Sequence, residues 1–324
     1  MYNTCICYGP LAGSFFIAHT ATMPQAQRDT LIAIVGPTAS GKTSLAVELA
    51  LTLGGEVISA DSRQVYRGLN IGTEKASKKE MCGVPHHCID IASPKRAYSV
   101  EQWRRVAEKA IRTIVRHGNV PIVAGGTGFY VDALVDGTRF PKVKPHATLR
   151  RSLARKSTRE LLAQLRQLDP TRARTIEQRN PRRLIRAIEI ATAIGKVPMI
   201  EHQNPQYDVH WIGLHPDKEV LRARIRARLE ASLHRGLLAE TRALLVSLGP
   251  TSKRIDALGL EYRIAASYIR GDITKETMHE LMVRELTRYA RKQMVWFKRN
   301  DAIHWYKNAK DALRSELPKL TQSM

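Results

Sequence analysis

One short stretch near the start of the chain constrains the fold more than any other. Residues 31–35 form an apolar run, a glycine-bracketed loop follows, and leucine and valine then recur at helical spacing through residue 49. A strand, such a loop and a helix start are together typical of a phosphate-binding P-loop, in which glycines turn backbone N–H groups inward and the helix adds its positive end. The loop residues expected to bind a diphosphate are Gly36, Pro37, Thr38, Ala39, Ser40, Gly41, Lys42 and Thr43.

Two side chains at the end of this loop carry its predicted chemistry. The Lys42 ammonium is expected to reach the far phosphates, and the Thr43 hydroxyl to hold Mg²⁺, the one cofactor that the sequence predicts. The alternative is an ordinary glycine-rich turn between a strand and a helix, but the spacing and the Lys-Thr pair favour phosphate binding. The motif does not specify which polyphosphate is bound.

The charge balance points to a polyanionic partner. The 324 residues include 52 Lys and Arg against 30 Asp and Glu, which gives a formal net charge of +22. This excess is far beyond what solubility needs, and it favours nucleic acid over a basic surface that has no specific partner. The length and the 43% apolar content suit one large α/β domain, or such a domain with an insertion.

The sequence carries no sign of export or of membrane insertion. Cys5, Cys7, Cys82 and Cys88 are spaced too irregularly for a disulfide framework or a paired zinc motif, so we expect a reducing, cytoplasmic setting. No window approaches the roughly eighteen apolar residues of a membrane span, and residues 1–23 make a poor targeting signal. We expect those first residues to be a disordered extension, and the protein to be a monomer without an obligate protein partner.

A second predicted strand, residues 56–60, leads into polar residues at its carboxyl end. Ligands bind at that end of a parallel α/β sheet, so Asp61 is expected to face the phosphates, where it could take a proton from a nucleophile or hold Mg²⁺ through water. The alternative is an aspartate that only caps the next turn.

The glycine cluster at residues 125–128 also follows a predicted strand and precedes a helical pattern. We expect it to form another wall of the same cleft, although a tight turn would need glycine as well. His86 and His87 do not predict a metal site, because adjacent residues of a strand point to opposite faces and no third ligand lies nearby.

The residue pattern of the chain changes after residue 140, where strand-like alternation gives way to a helical pattern. We expect residues 141–204 to form an all-helical insertion in the P-loop α/β core, which comprises residues 24–140 and 205–324. The insertion is rich in arginine, and its last helix is predicted to begin at Asn180 and Pro181 with Leu184, Ile188 and Ala191 buried and its arginines facing outward. This charge is where we expect nucleic acid to bind.

Two later helices add basic side chains. Arg224 and Arg228 lie four residues apart and therefore on the same face of a helix, so both could bind a diphosphate at the P-loop. Alternatively, they could belong to a solvated basic face. Residues 288–299 form a basic helix in which Trp296 and Phe297 could stack on RNA bases or pack in the core.

Five of these motifs stand together in one known family. Between about residues 31 and 306 the chain resembles the tRNA dimethylallyltransferases, also called tRNA isopentenyltransferases. The shared motifs are Gly36-Pro37-Thr38-Ala39-Ser40-Gly41-Lys42-Thr43, Asp61-Ser62-Arg63-Gln64-Val65-Tyr66, Gly83-Val84-Pro85-His86-His87, Gly125-Gly126-Thr127-Gly128, and Arg288-Tyr289-Ala290-Arg291-Lys292-Gln293 with Trp296-Phe297.

The resemblance implies an activity and a partner. Dimethylallyl diphosphate would donate a dimethylallyl group to the exocyclic amine of the adenosine immediately 3′ of the anticodon, in tRNAs that read codons beginning with U, and diphosphate would be released. It also implies that the helical insertion grips the anticodon stem-loop. Thr38 would bond near the bridging oxygen, and Asp61 would accept the amine proton. The residues expected to contact tRNA are Asp61, Ser62, Arg63, Gln64, Thr127, Asn180, Pro181, Arg182, Arg183, Leu184, Arg288 and Lys292.

The chain departs from the family pattern in two places. Residues 259–262 are Gly-Leu-Glu-Tyr, where many members have a sequence similar to Gly-Tyr-Lys/Arg-Glu. The contacts that this loop makes in other members are therefore less certain for this chain. No cysteine follows Cys88, so the zinc finger of eukaryotic members is absent and a bacterial type is implied.

Three other functions remain as alternatives at this stage. A prenyltransferase acting on free adenine nucleotides would not need so basic an insertion. A small-molecule kinase could use the same loop for ATP. A nonenzymatic RNA-binding protein would not need Lys42, Thr43 and Asp61 intact.

Overall fold

A parallel sheet forms the centre of the molecule. Its strands are β1 (Asp29–Val35), β2 (Gly55–Ser59), β3 (His86–His87), β4 (Val120–Gly125), β5 (Tyr207–Leu214) and β6 (His304–Tyr306). The computed structural model describes residues 29–138, 140–199 and 207–323, and over these ranges the strand order is β3-β2-β4-β1-β5-β6 with every neighbouring pair parallel. The α/β class and parallel core predicted from the sequence are confirmed.

The central strands are buried on both faces. Residues 31–35 of β1 and Ile58 of β2 are buried, which suits a parallel sheet whose two faces are both covered by helices. Val35 pairs with Gly125 in β4 and with Gly213 in β5. The loops that follow these strands therefore meet at one edge of the sheet.

Helices cover both faces of the sheet. They are α1 (Lys42–Leu53), α2 (Lys78–Met81), α3 (Val100–Arg116), α4 (Gly128–Val135), α9 (Lys218–His234), α10 (Leu237–Leu248), α11 (Leu260–Ile269), α12 (Lys275–Phe297) and α13 (Ala309–Ser323), with a short 3-10 turn at Ile255–Ala257. The larger apolar cluster packs α3, α4 and α10–α12 on one face, and a smaller one packs α1 and α13 on the other. Trp103 of α3 is fully buried, and its indole N–H donates to the Ser59 carbonyl at the end of β2.

The predicted insertion is a group of helices with a core of its own. Its helices are α5 (Ala147–Leu153), α6 (Thr158–Leu168), α7 (Pro170–Thr175) and α8 (Pro181–Ile194). As predicted, α8 begins after Asn180, whose side chain accepts a hydrogen bond from the Arg183 amide, and Leu184, Ile188 and Ala191 are buried. The domain limits assigned from the sequence stay predictions.

One expectation about α8 is wrong. Leu184 is fully buried and its amide donates to the Asn180 carbonyl, and its expected contact with tRNA stays a prediction. Arg182 and Arg183 face outward as predicted, but Arg186 bonds to the Val143 carbonyl and to the buried carboxylate of Glu189. A buried acid needs partners of opposite charge, and local periodicity does not reveal which arginine supplies them.

Some predictions fall outside the described residues. These are the disordered extension at residues 1–23 and the states of Cys5 and Cys7. Cys82 and Cys88 are both free thiols. Among the described helices, none combines the length and the apolar character that crossing a membrane requires.

Candidate active site

The loop between β1 and α1 has the geometry of an anion-binding turn. Gly36 and Gly41 have φ values of +144° and +98°, Ala39 has one of +61°, and α1 begins immediately afterwards at Lys42. At position 36, a Cβ atom would lie 2.4 Å from the Leu214 carbonyl oxygen in β5, so glycine is required there. Residues of positive φ that alternate with ordinary ones ahead of a helix N-terminus turn backbone N–H groups into a concavity, which favours phosphate.

The ammonium of Lys42 lies inside this loop. It donates to the Pro37 carbonyl and to the Ser40 hydroxyl, the latter at 3.4 Å. Burial lowers the pKa of Lys42 to about 7; the Asp61 carboxylate opposes that shift and the Arg228 guanidinium adds to it. An anionic ligand beside this nitrogen would restore its charge, so the loop is built to favour a phosphate group.

Asp61 faces the phosphate loop from the end of β2. Its Oδ1 accepts hydrogen bonds from the amides of Arg63 at 2.7 Å and Gln64 at 3.4 Å, so the turn-capping alternative is also realised. No described residue donates a hydrogen bond to Oδ2, and Asp61 and Lys42 line the same cavity. One oxygen therefore holds the turn while the other is free for chemistry.

The glycine-rich loop after β4 forms another wall of this cavity, as the sequence predicted. Thr127 accepts a hydrogen bond from the Ser62 amide at 3.0 Å, which ties this loop to the one that follows β2. The buried side chain of Gln293 in α12 donates to the Gly126 carbonyl and accepts from the Thr38 amide, both at 2.9 Å. Three loops are thus locked together around one opening.

The cavity is large and predominantly basic. Its volume is about 690 Å³, which is enough for a ligand the size of a nucleotide. Its lining, counted over the described part of the chain, includes Lys42, Arg63, Lys75, Arg182, Arg228, Arg235, Arg288 and Lys292 against Asp61, Glu74, Glu80, Glu261 and Glu285. The positive excess is what a diphosphate and an RNA backbone would both require.

The structure brings most of the predicted site residues together. Those that line the cavity are Thr38, Ala39, Ser40, Gly41, Lys42, Thr43, Asp61, Arg63, Gln64, Arg182, Arg228, Arg288 and Lys292. Those outside its lining are Gly36, Pro37, Ser62, Thr127, Asn180, Pro181, Arg183, Leu184 and Arg224. Arg224 is nevertheless at the P-loop, with its Nη1 3.5 Å from the Ser40 carbonyl, so both arginines of the predicted pair approach the phosphate loop.

Two of the predicted RNA-contacting residues have internal partners. Gln64 accepts from the Ser59 hydroxyl at 2.8 Å and donates to the Thr73 and Glu74 carbonyls at 3.3 and 3.1 Å, so its amide holds a neighbouring loop in place. The Arg63 guanidinium donates to the Ala257 carbonyl. Their contacts with RNA stay predictions.

Several lining residues were missed by sequence reasoning. Glu261 and Tyr289 face into the cavity, and burial raises the pKa of both side chains, while Arg228 opposes the shift at Glu261. Gln293 belongs to one of the family motifs, but the motif alone does not indicate its partners. The sequence does contain a signal for it, because Gln293 is a polar residue that lies with Ala290 and Met294 on a buried helix face. A buried amide needs hydrogen-bond partners, so such a residue indicates a structural contact.

The described residues contain no cluster of three or more His, Cys, Asp or Glu side chains that could hold a metal ion. His86 and His87 have separate partners: His86 bonds to the Val84 carbonyl and His87 to the Glu56 carboxylate. Mg²⁺ usually retains waters and binds through one or two protein oxygens together with substrate phosphates. The Thr43 hydroxyl and the Asp61 carboxylate, both on the cavity wall, are a donor set of that kind.

Comparison with family models places most of the chain in one group. A model described as IPP transferase matches residues 64–300, and one described as isopentenyl transferase matches residues 29–93. A tRNA dimethylallyltransferase of Thermomicrobium roseum is 40% identical over 287 residues, which is 86% of this chain and 87% of that protein. One of Alkaliphilus oremlandii is 39% identical over 284 residues, which is 85% of this chain and 90% of that protein.

Solved structures agree with this grouping. A tRNA isopentenylpyrophosphate transferase of Staphylococcus epidermidis superposes with a TM-score of 0.66 at 34% identity, covering 91% of this chain and 99% of that one. A eukaryotic dimethylallyltransferase acting on tRNA gives a TM-score of 0.76 at 24% identity, covering 90% of this chain and 77% of that one, and supports the fold alone.

Proposed function

Because this chain belongs to the tRNA dimethylallyltransferase (IPP transferase) family of prenyl-transferring enzymes, we propose that it moves a dimethylallyl group from dimethylallyl diphosphate to tRNA. The acceptor is the exocyclic amine of the adenosine immediately 3′ of the anticodon, in tRNAs that read codons beginning with U. The observation that carries the proposal is that Asp61 and Lys42 face one cavity from two different strand ends.

The phosphate loop would hold the leaving group. An allylic diphosphate departs readily only when its growing charge is neutralised. The loop amides, Lys42 and the pair Arg224 and Arg228 all lie where they can supply that charge, and Thr38 would bond near the bridging oxygen. When bound by Thr43 and the phosphates, Mg²⁺ would add further positive charge at the diphosphate.

The carboxylate of Asp61 would make the acceptor nitrogen reactive. An adenine amine is a weak nucleophile because its lone pair is delocalised into the ring. As the nitrogen attacks the allylic carbon, a C–N bond forms, the C–O bond to diphosphate breaks and its electron pair leaves with the diphosphate. The amine proton passes to the Asp61 oxygen that the turn does not use.

The target base would have to leave its stack to reach this depth. The loops joined by Ser62 and Thr127 both contribute residues to the cavity lining, so the base would lie beside them. Arg182, at the start of α8 in the helical insertion, lines the same cavity, and Arg183 beside it is exposed. The insertion would therefore hold the anticodon stem-loop while the core carries out the transfer.

The test is to incubate the purified protein with dimethylallyl diphosphate and unmodified tRNA, and to digest the product for mass spectrometry. We expect one added five-carbon unit on a single anticodon-loop adenosine. Parallel reactions with AMP as acceptor, and with ATP in place of the donor, separate this function from a free-nucleotide prenyltransferase and from a kinase. Transfer to AMP at a rate equal to that with tRNA, or transfer of phosphate from ATP, would contradict the proposal.

A further inference from the structure

A group of aromatic side chains lies beside the cavity and is not used by the proposed reaction. The rings of Phe129 and Phe140 are 5.8 Å apart, and those of Phe129 and Trp296 are 6.4 Å apart, both with edge-to-face geometry. The Arg299 guanidinium carbon lies 4.1 Å from the centre of a Trp296 ring. We call these four residues the aromatic platform.

The platform is held rigidly at its centre. The Trp296 indole N–H donates to the Asp132 carboxylate at 2.9 Å, and Arg299 approaches the same carboxylate at 3.4 Å. A Cβ atom at Gly128 would lie 2.1 Å from the Trp296 ring, so that glycine allows the indole to pack against the backbone of α4. The orientation of the ring is therefore set before any ligand arrives, which lowers the entropic cost of binding.

The outer part of the platform is open to solvent. Phe129 is 45% exposed, although large apolar side chains are usually buried, and the Arg299 side chain is 59% exposed. Phe297, the neighbour of Trp296 in α12, is 2% exposed and belongs to the core. The two aromatics of the basic helix thus have different surroundings, and only Trp296 contributes to a surface.

The platform is close along the chain to residues that line the cavity and to the start of the helical insertion. Phe129 is two residues beyond Thr127, and Trp296 is one helical turn beyond Lys292, which lines the cavity. Phe140 belongs to the segment that leads from the core to α5. A nucleic acid that delivers one base into the cavity while contacting the insertion would pass over this surface.

The charge of the surroundings favours a nucleobase as the occupant over an apolar peptide or a second copy of this basic chain. Arg291, Lys292, Lys298 and Arg299 are exposed on or just after the same helix. Aromatic rings and arginine planes interleaved with cations stack unpaired bases while the cations contact the phosphates between them.

We propose that the aromatic platform stacks an unpaired base of the RNA acceptor, one that neighbours the nucleotide entering the cavity. The inference rests on the proposed function and adds a second base-binding site to it. Stacking recognises the flat face of a base, so this site would strengthen binding with little preference for base identity.

The test uses an RNA hairpin with the sequence of an anticodon stem-loop, in which each unpaired position in turn carries 2-aminopurine. Stacking quenches the fluorescence of this base. With the wild-type protein we expect strong quenching at one position beside the target adenosine. With the double variant Phe129→Ala/Phe140→Ala we expect that quenching to disappear and the Kd for the hairpin to rise about tenfold.

Single variants separate stacking from simple apolar contact. Phe129→Tyr keeps an aromatic face and should bind the hairpin like the wild type, whereas Phe129→Leu keeps apolar surface and should weaken binding as Phe129→Ala does. Leu51→Ala changes another exposed apolar side chain, 58% exposed on α1, and should leave the Kd unchanged. The wild type and the double variant could show equal Kd values and equal quenching in protein that modifies tRNA. That result would contradict the stacking role of the platform but not the proposed function. Failure of the wild type to modify tRNA would overturn the proposed function instead.

Discussion

The cavity and the helical insertion use charge in opposite ways. In the cavity, Lys42 is buried and its pKa is lowered to about 7, so the protein holds a cation where burial disfavours it. In the insertion, the buried charge belongs to Glu189, which two arginines neutralise, while Arg182 and Arg183 stay exposed. Burial at the first site prepares groups for chemistry, whereas burial at the second stabilises a fold whose surface is left for binding.

The largest expected effect follows removal of the cation at the cavity. Lys42→Met should lower kcat/KM for prenyl transfer about a thousandfold, because the Lys42 ammonium lies inside the phosphate loop, where it can neutralise the charge of the leaving diphosphate. The same change should raise stability by about 1–3 kcal/mol at pH 7, since a buried, disfavoured charge is removed. Steady-state kinetics and thermal unfolding measure the two effects.

The pH dependence of this stability checks the cause. Burial moves the pKa of Lys42 from 10.5 to about 7, so between these values the unfolded chain holds a proton that the folded chain has released. The free energy of unfolding of the wild type should therefore rise with pH across that window relative to Lys42→Met. Lys109→Met, at an exposed lysine of α3, serves as the control. A stability difference between the wild type and Lys42→Met that does not vary with pH would contradict this explanation.

Replacement of the carboxylate should have the next largest effect. Asp61→Ala and Asp61→Asn should both lower turnover about a hundredfold or more while leaving tRNA binding nearly intact. Only the alanine variant should also lose stability, because asparagine can still accept the hydrogen bond from the Arg63 amide. Near-normal turnover of Asp61→Asn would remove proton transfer to this residue from the mechanism.

The two regions also differ in how far the sequence predicts them. The phosphate loop is predicted because its chemistry is local: glycines at fixed spacing, a preceding apolar run and a following helix. The same holds for the start of α8, where Asn180 and Pro181 together mark a helix N-terminus.

Contacts between distant parts of the chain could not be predicted in this way. Gln293 and Thr38 are 255 residues apart, and nothing in the neighbourhood of either identifies the other as its partner. Glu240 is a similar case, because it accepts hydrogen bonds from the amides of residues 70–72, the start of a loop that lines the cavity. Both partners become visible only when the path of the chain is known, and the roles assigned to the cavity residues stay predictions.

A smaller effect is expected from the buried acid of the insertion. Glu189→Gln should destabilise the insertion by about 2 kcal/mol, because hydrogen bonds from Arg150 and Arg186 lose their charged acceptor. Proteolysis within residues 141–199 and thermal unfolding would detect the loss, while the KM for the prenyl donor should not change. Glu177→Gln, at an exposed ion pair with Arg183, should have almost no effect.

The stability of the insertion at low pH is the measurement that could contradict this prediction. Although burial alone would raise it, the pKa of Glu189 is lowered to about 2 by hydrogen bonds from Arg150, the His146 amide and Arg186. Since this value lies below the usual 4.5, the stabilisation is complete above pH 4.5 and is lost as the pH falls through about 2. If the stabilities of the wild type and of Glu189→Gln fell equally over that pH range, the hydrogen bonds to Glu189 would not be what stabilises these helices.

The smallest effects should come from the exposed arginines, and they test whether the insertion binds by charge alone. Arg183→Ala should weaken tRNA binding only a few-fold, and the slope of log K against log salt should fall by about 0.7–0.9, as expected for one lost phosphate contact. Arg182 also lines the cavity, so Arg182→Ala should in addition raise the KM for tRNA at high salt, where the purely electrostatic part of binding is screened. Equal salt slopes for both variants and the wild type would mean that neither arginine contacts a phosphate. Other residues of the insertion would then have to bind the RNA while the cavity carries out the reaction.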